Sequence, residues 1–276
     1  MDILDHLEDL PERSIQQDEE QEAASTAGKH LEPPLVLWNL SLKTRLYPNG
    51  VRPKFLIVAS SKVACALINH SFGRKEVLFS LVLPEVSMKG NTIQPSLQDR
   101  TCTASAVGSS GIMISCQYDV PGERAKAVCT ALMDHVQPEQ MLVLGSIRSE
   151  QYYGPGDASQ DAQVFSLFTS ETPKPPPGSS HTPPLPTGNT LGGLPAALLS
   201  HRQLRHQPCA ALVVLEMVPS LSVCGLQPLA QAAADVAQAM GLQEAAIELS
   251  APDSLKSSCR ELGAVCGSSL DNAVYT

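Results

Sequence analysis

The sequence predicts an α/β fold, a central and mostly parallel sheet flanked by helices, with one antiparallel hairpin and a long proline-rich loop insertion. Three observations point there. Short apolar runs alternate with stretches of helical period along most of the chain. Hydrophobic residues make up 43% of the 276 and charged residues only 17%, enough to bury a sizeable core. The run Cys209 to Leu215 is apolar without alternation, the pattern of a strand covered on both faces.

Taken in order, Leu35 to Leu42 and Phe55 to Ala59 read as strands, being short apolar runs bounded by polar or turn residues. Ser61 to His70 reads as a helix, because Val63 and Leu67, and Ala64 and Ile68, pair at i,i+4. Val77 to Leu83 is another strand. Thr101 to Val107 and Ile112 to Tyr118, joined through Gly108-Ser109-Ser110-Gly111, form a hairpin. Pro121 suits the first turn of a helix that runs to about His135. Met141 to Ile147 and Val164 to Phe168 are further strands. Leu194 to Arg205 is a helix with Pro195 near its start, followed by the strand Cys209 to Met217. Leu226 to Met240 is alanine-rich and helical, stopped by Gly241, and Ser254 to Leu262 forms a last helix before Gly263.

Two breaks interrupt this alternation. Residues 1–34 hold ten acids against Arg13 and Lys29, a net charge of −8, whereas the remainder carries 18 acids and 17 bases. That composition predicts a disordered acidic arm. Residues 170–193 contain seven prolines, at 173, 175, 176, 177, 183, 184 and 186, with glycines at 178, 188, 192 and 193. Each proline removes a donor and fixes φ, so the tract predicts an exposed surface loop. The expected organisation is an arm over 1–34 and one α/β domain over 35–276. That domain is interrupted by the loop 170–193 and ends in a flexible tail over 268–276.

Composition excludes several functions. A near-neutral body with 4% aromatics lacks the basic, stacking surface that nucleic acid requires. No apolar stretch is long enough to span a bilayer, and the acidic start Met1-Asp2-Ile3-Leu4-Asp5 is unlike a signal peptide. Eight cysteines, at 65, 102, 116, 129, 209, 224, 259 and 266, match no zinc spacing, and several sit inside apolar runs. Reduced thiols in the cytoplasm, with the nucleus as a second compartment, are the expectation.

Chemistry-bearing motifs are sparse. No Walker A or Gly-x-Gly-x-x-Gly sequence is present, and the seven histidines form no HExxH pair. Ser60-Ser61-Lys62 follows a strand and opens a helix; it either caps that helix or holds an anion there, and capping is the commoner use of such serines. His201, Arg202, Arg205 and His206 read as the basic, surface end of a helix. No cofactor, metal site or catalytic residue is expected. The rival reading is a nucleosidase- or hydrolase-like α/β enzyme with an unrecognised pocket.

The chain's last residues differ from the rest. Ser268 to Ala273 is small and polar, and Val274-Tyr275-Thr276 closes with an apolar residue, an aromatic and a free carboxylate. Such a tip can insert in a pocket, with Val274 burying methyls, the Tyr275 ring packing and the carboxylate pairing with a lysine. Together with Gly193-Leu194-Pro195-Ala196-Ala197-Leu198-Leu199-Ser200 and the strand Ala210 to Leu215, this ending resembles the proteasome assembly chaperone family. The resemblance implies a heterodimer with a second, homologous chaperone and binding to proteasome α subunits. It implies promotion of α-ring formation and hindrance of off-pathway ring association, without ATP. It assigns docking between α subunits to Val274, Tyr275 and the Thr276 carboxylate.

Overall fold

Asn39 sets how the chain enters the fold. In the computed structural model, strand β1 (Leu35–Trp38) is followed by a helix α1 (Leu40–Leu46), whose first turn is capped by the Asn39 side chain accepting from the Leu42 N–H at 3.3 Å. The expected strand Leu35 to Leu42 therefore divides, because an asparagine oxygen at a helix N-cap offers the backbone a better partner than continued pairing. The structure describes residues 31–48, 50–72, 76–91, 96–108, 110–154, 163–173, 182–216, 225–251 and 255–260. The arm 1–30 and the tail 261–276, with Val274, Tyr275 and Thr276, lie outside the described residues.

The remaining strands are β2 (Phe55–Ala59), β3 (Val77–Val82), β4 (Cys102–Val107), β5 (Gly111–Cys116), β6 (Gln140–Arg148), β7 (Val164–Phe168) and β8 (Cys209–Glu216). They form one eight-stranded sheet in the order β1-β3-β4-β5-β2-β6-β8-β7. The four central strands, β5-β2-β6-β8, are parallel to one another. The outer pairings are antiparallel: β1–β3, β3–β4 and β4–β5 on one side, β7–β8 on the other. The mixed α/β class expected from sequence, parallel in its centre with an antiparallel hairpin, is the architecture observed.

The principal helices are α2 (Lys62–Ser71), α3 (Gly122–His135), α4 (Gly193–Leu204), α5 (Leu226–Ala239) and α6 (Gln243–Leu249). Residues facing one way from the centre, such as Ile57, Leu142 and Leu212, pack against α2, α5 and α6. Those facing the other way, such as Leu56, Val58 and Val143, pack against α3 and α4. Helix α6 went unpredicted. Gly241 ends α5 with φ +77°, a left-handed turn that suits glycine, and the chain then re-enters a helix of only seven residues. A final helical stretch at residues 255–260 is pinned where the buried Ser258 hydroxyl donates to the Ala66 carbonyl of α2 at 3.1 Å.

Two polar devices fix the entry to β8. Thr169 and Thr172, just after β7, both accept from the Cys209 N–H, and the Thr172 hydroxyl also contacts the Cys209 carbonyl at 2.8 Å. Arg202, expected on a surface helix end, is instead 2% exposed. Its guanidinium donates to the carbonyls of Pro138, Glu139 and Pro208 and to the Gln207 side chain, tying the end of α4 to the starts of β6 and β8. Five fixed donors on one side chain let arginine satisfy several carbonyls at once, which makes its burial tolerable.

The second half of the proline tract is also part of the packed structure. Ser166 on β7 donates to the Pro183 carbonyl at 2.9 Å and accepts from the Leu185 N–H at 3.3 Å. Leu185 and Leu191 pack beside Ile147, Phe165, Val213 and Leu215. This segment covers the β7 edge of the sheet.

Candidate functional site

Parallel strands deliver their carboxyl ends to one side of a sheet, and a crevice opens where successive connections leave in opposite directions. Here the chain leaves β2 to reach β5 on one side and β6 lies on the other, so the crevice falls at the ends of β2, β5, β6 and β8. A cleft of about 720 Å³ occupies that place.

Each wall follows from local sequence. At the end of β2, the Ser60 hydroxyl donates to the Leu144 carbonyl at 3.2 Å, and the Ser61 hydroxyl accepts from the Ala64 N–H at 3.3 Å. The two serines thus act as a strand tether and a helix cap. Lys62, the first residue of α2, lines the cleft beside them. After β5 the chain passes Asp119 and Pro121 into α3; after β8 it leaves through Glu216. At the end of β6 stand Ser146 and Arg148, and Arg148 faces Asp119 at 3.8 Å with both side chains exposed. Gly145 lets this wall close: a Cβ there would stand 2.9 Å from Pro195 of α4 and 3.2 Å from the Ser60 hydroxyl.

Glu216 is held at the cleft's inner wall, at the end of β8. Burial pushes its carboxyl pKa above the usual carboxylate range, while a hydrogen bond with Ser146 and the charges of Lys62 and Arg148 act in the opposite sense. No histidine or cysteine is among the described residues lining the cleft, and the Ser60 and Ser61 hydroxyls are engaged with the backbone. Among the described residues no group of His, Cys, Asp and Glu could hold a metal ion, and no helix is long and apolar enough to cross a membrane. Elsewhere burial raises the thiols of Cys65 and Cys209 to about 12 and that of Cys129 to about 11, so these three stay protonated. His201 is held below its ordinary value by burial and by the neighbouring Arg205 and Arg202.

A second surface lies at the other end of the sheet. Strands β1, β3 and β4 are covered on the face that carries Trp38, Phe79 and Leu81. On the opposite face Leu35 and Leu37 are 50% and 59% exposed. Beside them an apolar recess of about 210 Å³ is lined by Leu37, Leu83, Val86 and Met88, with Tyr118 at one wall.

Sequence reasoning singled out Ser60, Ser61 and Lys62 and missed Asp119, Arg148 and Glu216. The signal for those three was positional: each is a charged residue at the close of a strand or just beyond it, where an open α/β sheet collects its ligands.

No protein-family model matches the chain, and no curated protein matches it in sequence. Solved structures do match. Pyrococcus furiosus PbaA, an archaeal homolog of proteasome-assembly chaperone, aligns with a TM-score of 0.53 at 12% identity, over 88% of this chain and 95% of that one. A Thermoplasma acidophilum protein of unknown function aligns with a TM-score of 0.53 at 12% identity, over 85% of this chain and 94% of that one. Pyrococcus furiosus PbaB, an archaeal proteasome activator, aligns with a TM-score of 0.50 at 12% identity, over 88% of this chain and 99% of that one. The chain has the fold of these proteins, nearly end to end.

Proposed function

We propose that this chain is a proteasome assembly chaperone, the first of a pair that works as a heterodimer with a second, homologous chaperone. The observation that carries the reading is the fold shared with PbaA over 88% of this chain and 95% of that one. The ending Val274-Tyr275-Thr276, which resembles the hydrophobic-Tyr-X motif of that family, supports it independently. In this reading the folded body binds α subunits, promotes α-ring formation and hinders off-pathway ring association. The tail docks between neighbouring α subunits, with Val274 and Tyr275 inserted and the Thr276 carboxylate meeting a lysine. The protein acts by binding, in the cytoplasm and nucleus, and needs no cofactor.

Three residues bury too little surface to hold a large assembly, so the body supplies contact area and the tail supplies register. Tagged chain, intact or lacking residues 274–276, is used to capture proteins from lysate, and the captured proteins are identified. Intact chain is expected to bring down a homologous chaperone and α subunits; truncation depletes the α subunits and leaves the chaperone. Tyr275→Ala is expected to cost about 2 kcal/mol in α-subunit affinity, a typical hot-spot loss. Capture of α subunits undiminished by truncation would refute the tail's role, and capture of neither partner by intact chain would refute the whole reading.

A further inference from the structure

The cleft at the carboxyl ends of the parallel strands plays no part in docking through the tail, yet it is built as ligand sites are built. Its volume, about 720 Å³, falls within the range of small-molecule pockets, roughly 300–1,000 Å³. It brings both signs of charge to one place, with Lys62 and Arg148 facing a shared space with Asp119 and Glu216. Glu216 terminates a strand that is otherwise wholly apolar, and its partly buried carboxyl is kept in place by Ser146. A charged group retained at the mouth of a core strand costs solvation.

Two further features open the same space to an anion. Helices α3 and α4 both begin at the cleft without a side-chain cap, so the N–H groups of Gly122, Gly193 and Leu194 lead towards it, while the Arg124 N–H bonds the Pro121 carbonyl and Pro195 has none. A Cβ at Gly122 or Gly192, beside those helix starts, would meet nothing within 4 Å, so both border open space. The cation and the amide donors suit a phosphate-type group, whereas Asp119 and Glu216 are acceptors placed for hydroxyls.

We propose that this cleft binds a small phosphorylated polyol, its phosphate held by Lys62, Arg148 and the starts of α3 and α4, its hydroxyls by Asp119 and Glu216. Binding through the cleft is separate from docking through the tail, and either can fail without the other.

The test is calorimetric titration of the purified full chain with ribose 5-phosphate, and separately with inorganic phosphate. Ribose 5-phosphate is expected to bind, and inorganic phosphate to bind at least tenfold more weakly because it reaches only one end of the site. Lys62→Met and Arg148→Gln, both on exposed side chains, should each weaken ribose 5-phosphate about tenfold while leaving the circular dichroism spectrum and thermal midpoint unchanged. Glu216→Gln should weaken ribose 5-phosphate and leave inorganic phosphate unaltered. Absence of ribose 5-phosphate binding, equal binding of the two probes, or binding that survives both cation substitutions would each overturn the proposal.

Discussion

The two ends of the sheet follow different rules. In the parallel centre both faces are covered, so Leu56, Ile57 and Val58 are all fully buried although they point alternately to opposite sides. In the outermost strand of the antiparallel wing, β1, only one face is covered. Trp38 rests on Phe79 with ring centroids 4.6 Å apart, while Leu37, the residue before it, lies in the open. The edges differ in the same sense. The β7 edge is lined by a segment whose prolines have no N–H to offer another strand, and β1 pairs only with β3. Leu35 and Leu37 of the outermost strand β1 are thus surface residues, although Leu78 and Leu81 of its partner β3 are buried.

The comparison breaks most readily at its covered end. Leu212 lies in the middle of β8, fully buried between β6 and β7 and against the α5 layer. Leu212→Ala removes its transfer energy and leaves a cavity, and is expected to cost about 2–5 kcal/mol in denaturant unfolding. Gly111 gives the next effect. It stands opposite Phe55 at the junction of the parallel centre and the hairpin, and a Cβ there would come within 2.1 Å of the Phe55 ring. Gly111→Ala should cost about 1–3 kcal/mol through overpacking. Restoration of stability in the double variant Gly111→Ala, Phe55→Leu would identify the ring as the cause. An unchanged midpoint in Gly111→Ala would mean that the junction is looser than its packing indicates.

Much of this contrast was legible in the chain. The unbroken apolar run of β8 announced a strand covered twice, and the Gly108 to Gly111 turn announced the hairpin that marks the change of rule. Helix ends were legible wherever a cap or breaker is local, as with Ser61, Pro121 and Gly241. What resisted reading depends on partners far along the sequence. Arg202 looked like a solvated helix end because its carbonyl partners at Pro138 and Glu139 lie more than 60 residues away. Asp119, Arg148 and Glu216 looked unrelated because strand order alone brings them to one cleft. Asn39 was misread for the opposite reason, since a single local cap outweighed an apolar run that continued on both sides of it. The tail stands apart: its composition marked Val274, Tyr275 and Thr276 as a docking tip, and their place in the proposed mechanism rests on sequence.

The smallest expected effect sharpens the comparison most. Leu37 has the same side chain as Leu212 and also sits in a strand, but it is 59% exposed on the uncovered face of the wing. Leu37→Ala removes little surface that folding takes from water, so its cost should stay within about 0.5 kcal/mol, as for other surface substitutions. Measured at two protein concentrations a hundredfold apart, that cost should not change. A cost comparable to that of Leu212→Ala, growing with concentration, would mean that association buries this face in solution. The wing would then obey the rule of the centre, with a second molecule in the place of the missing helices.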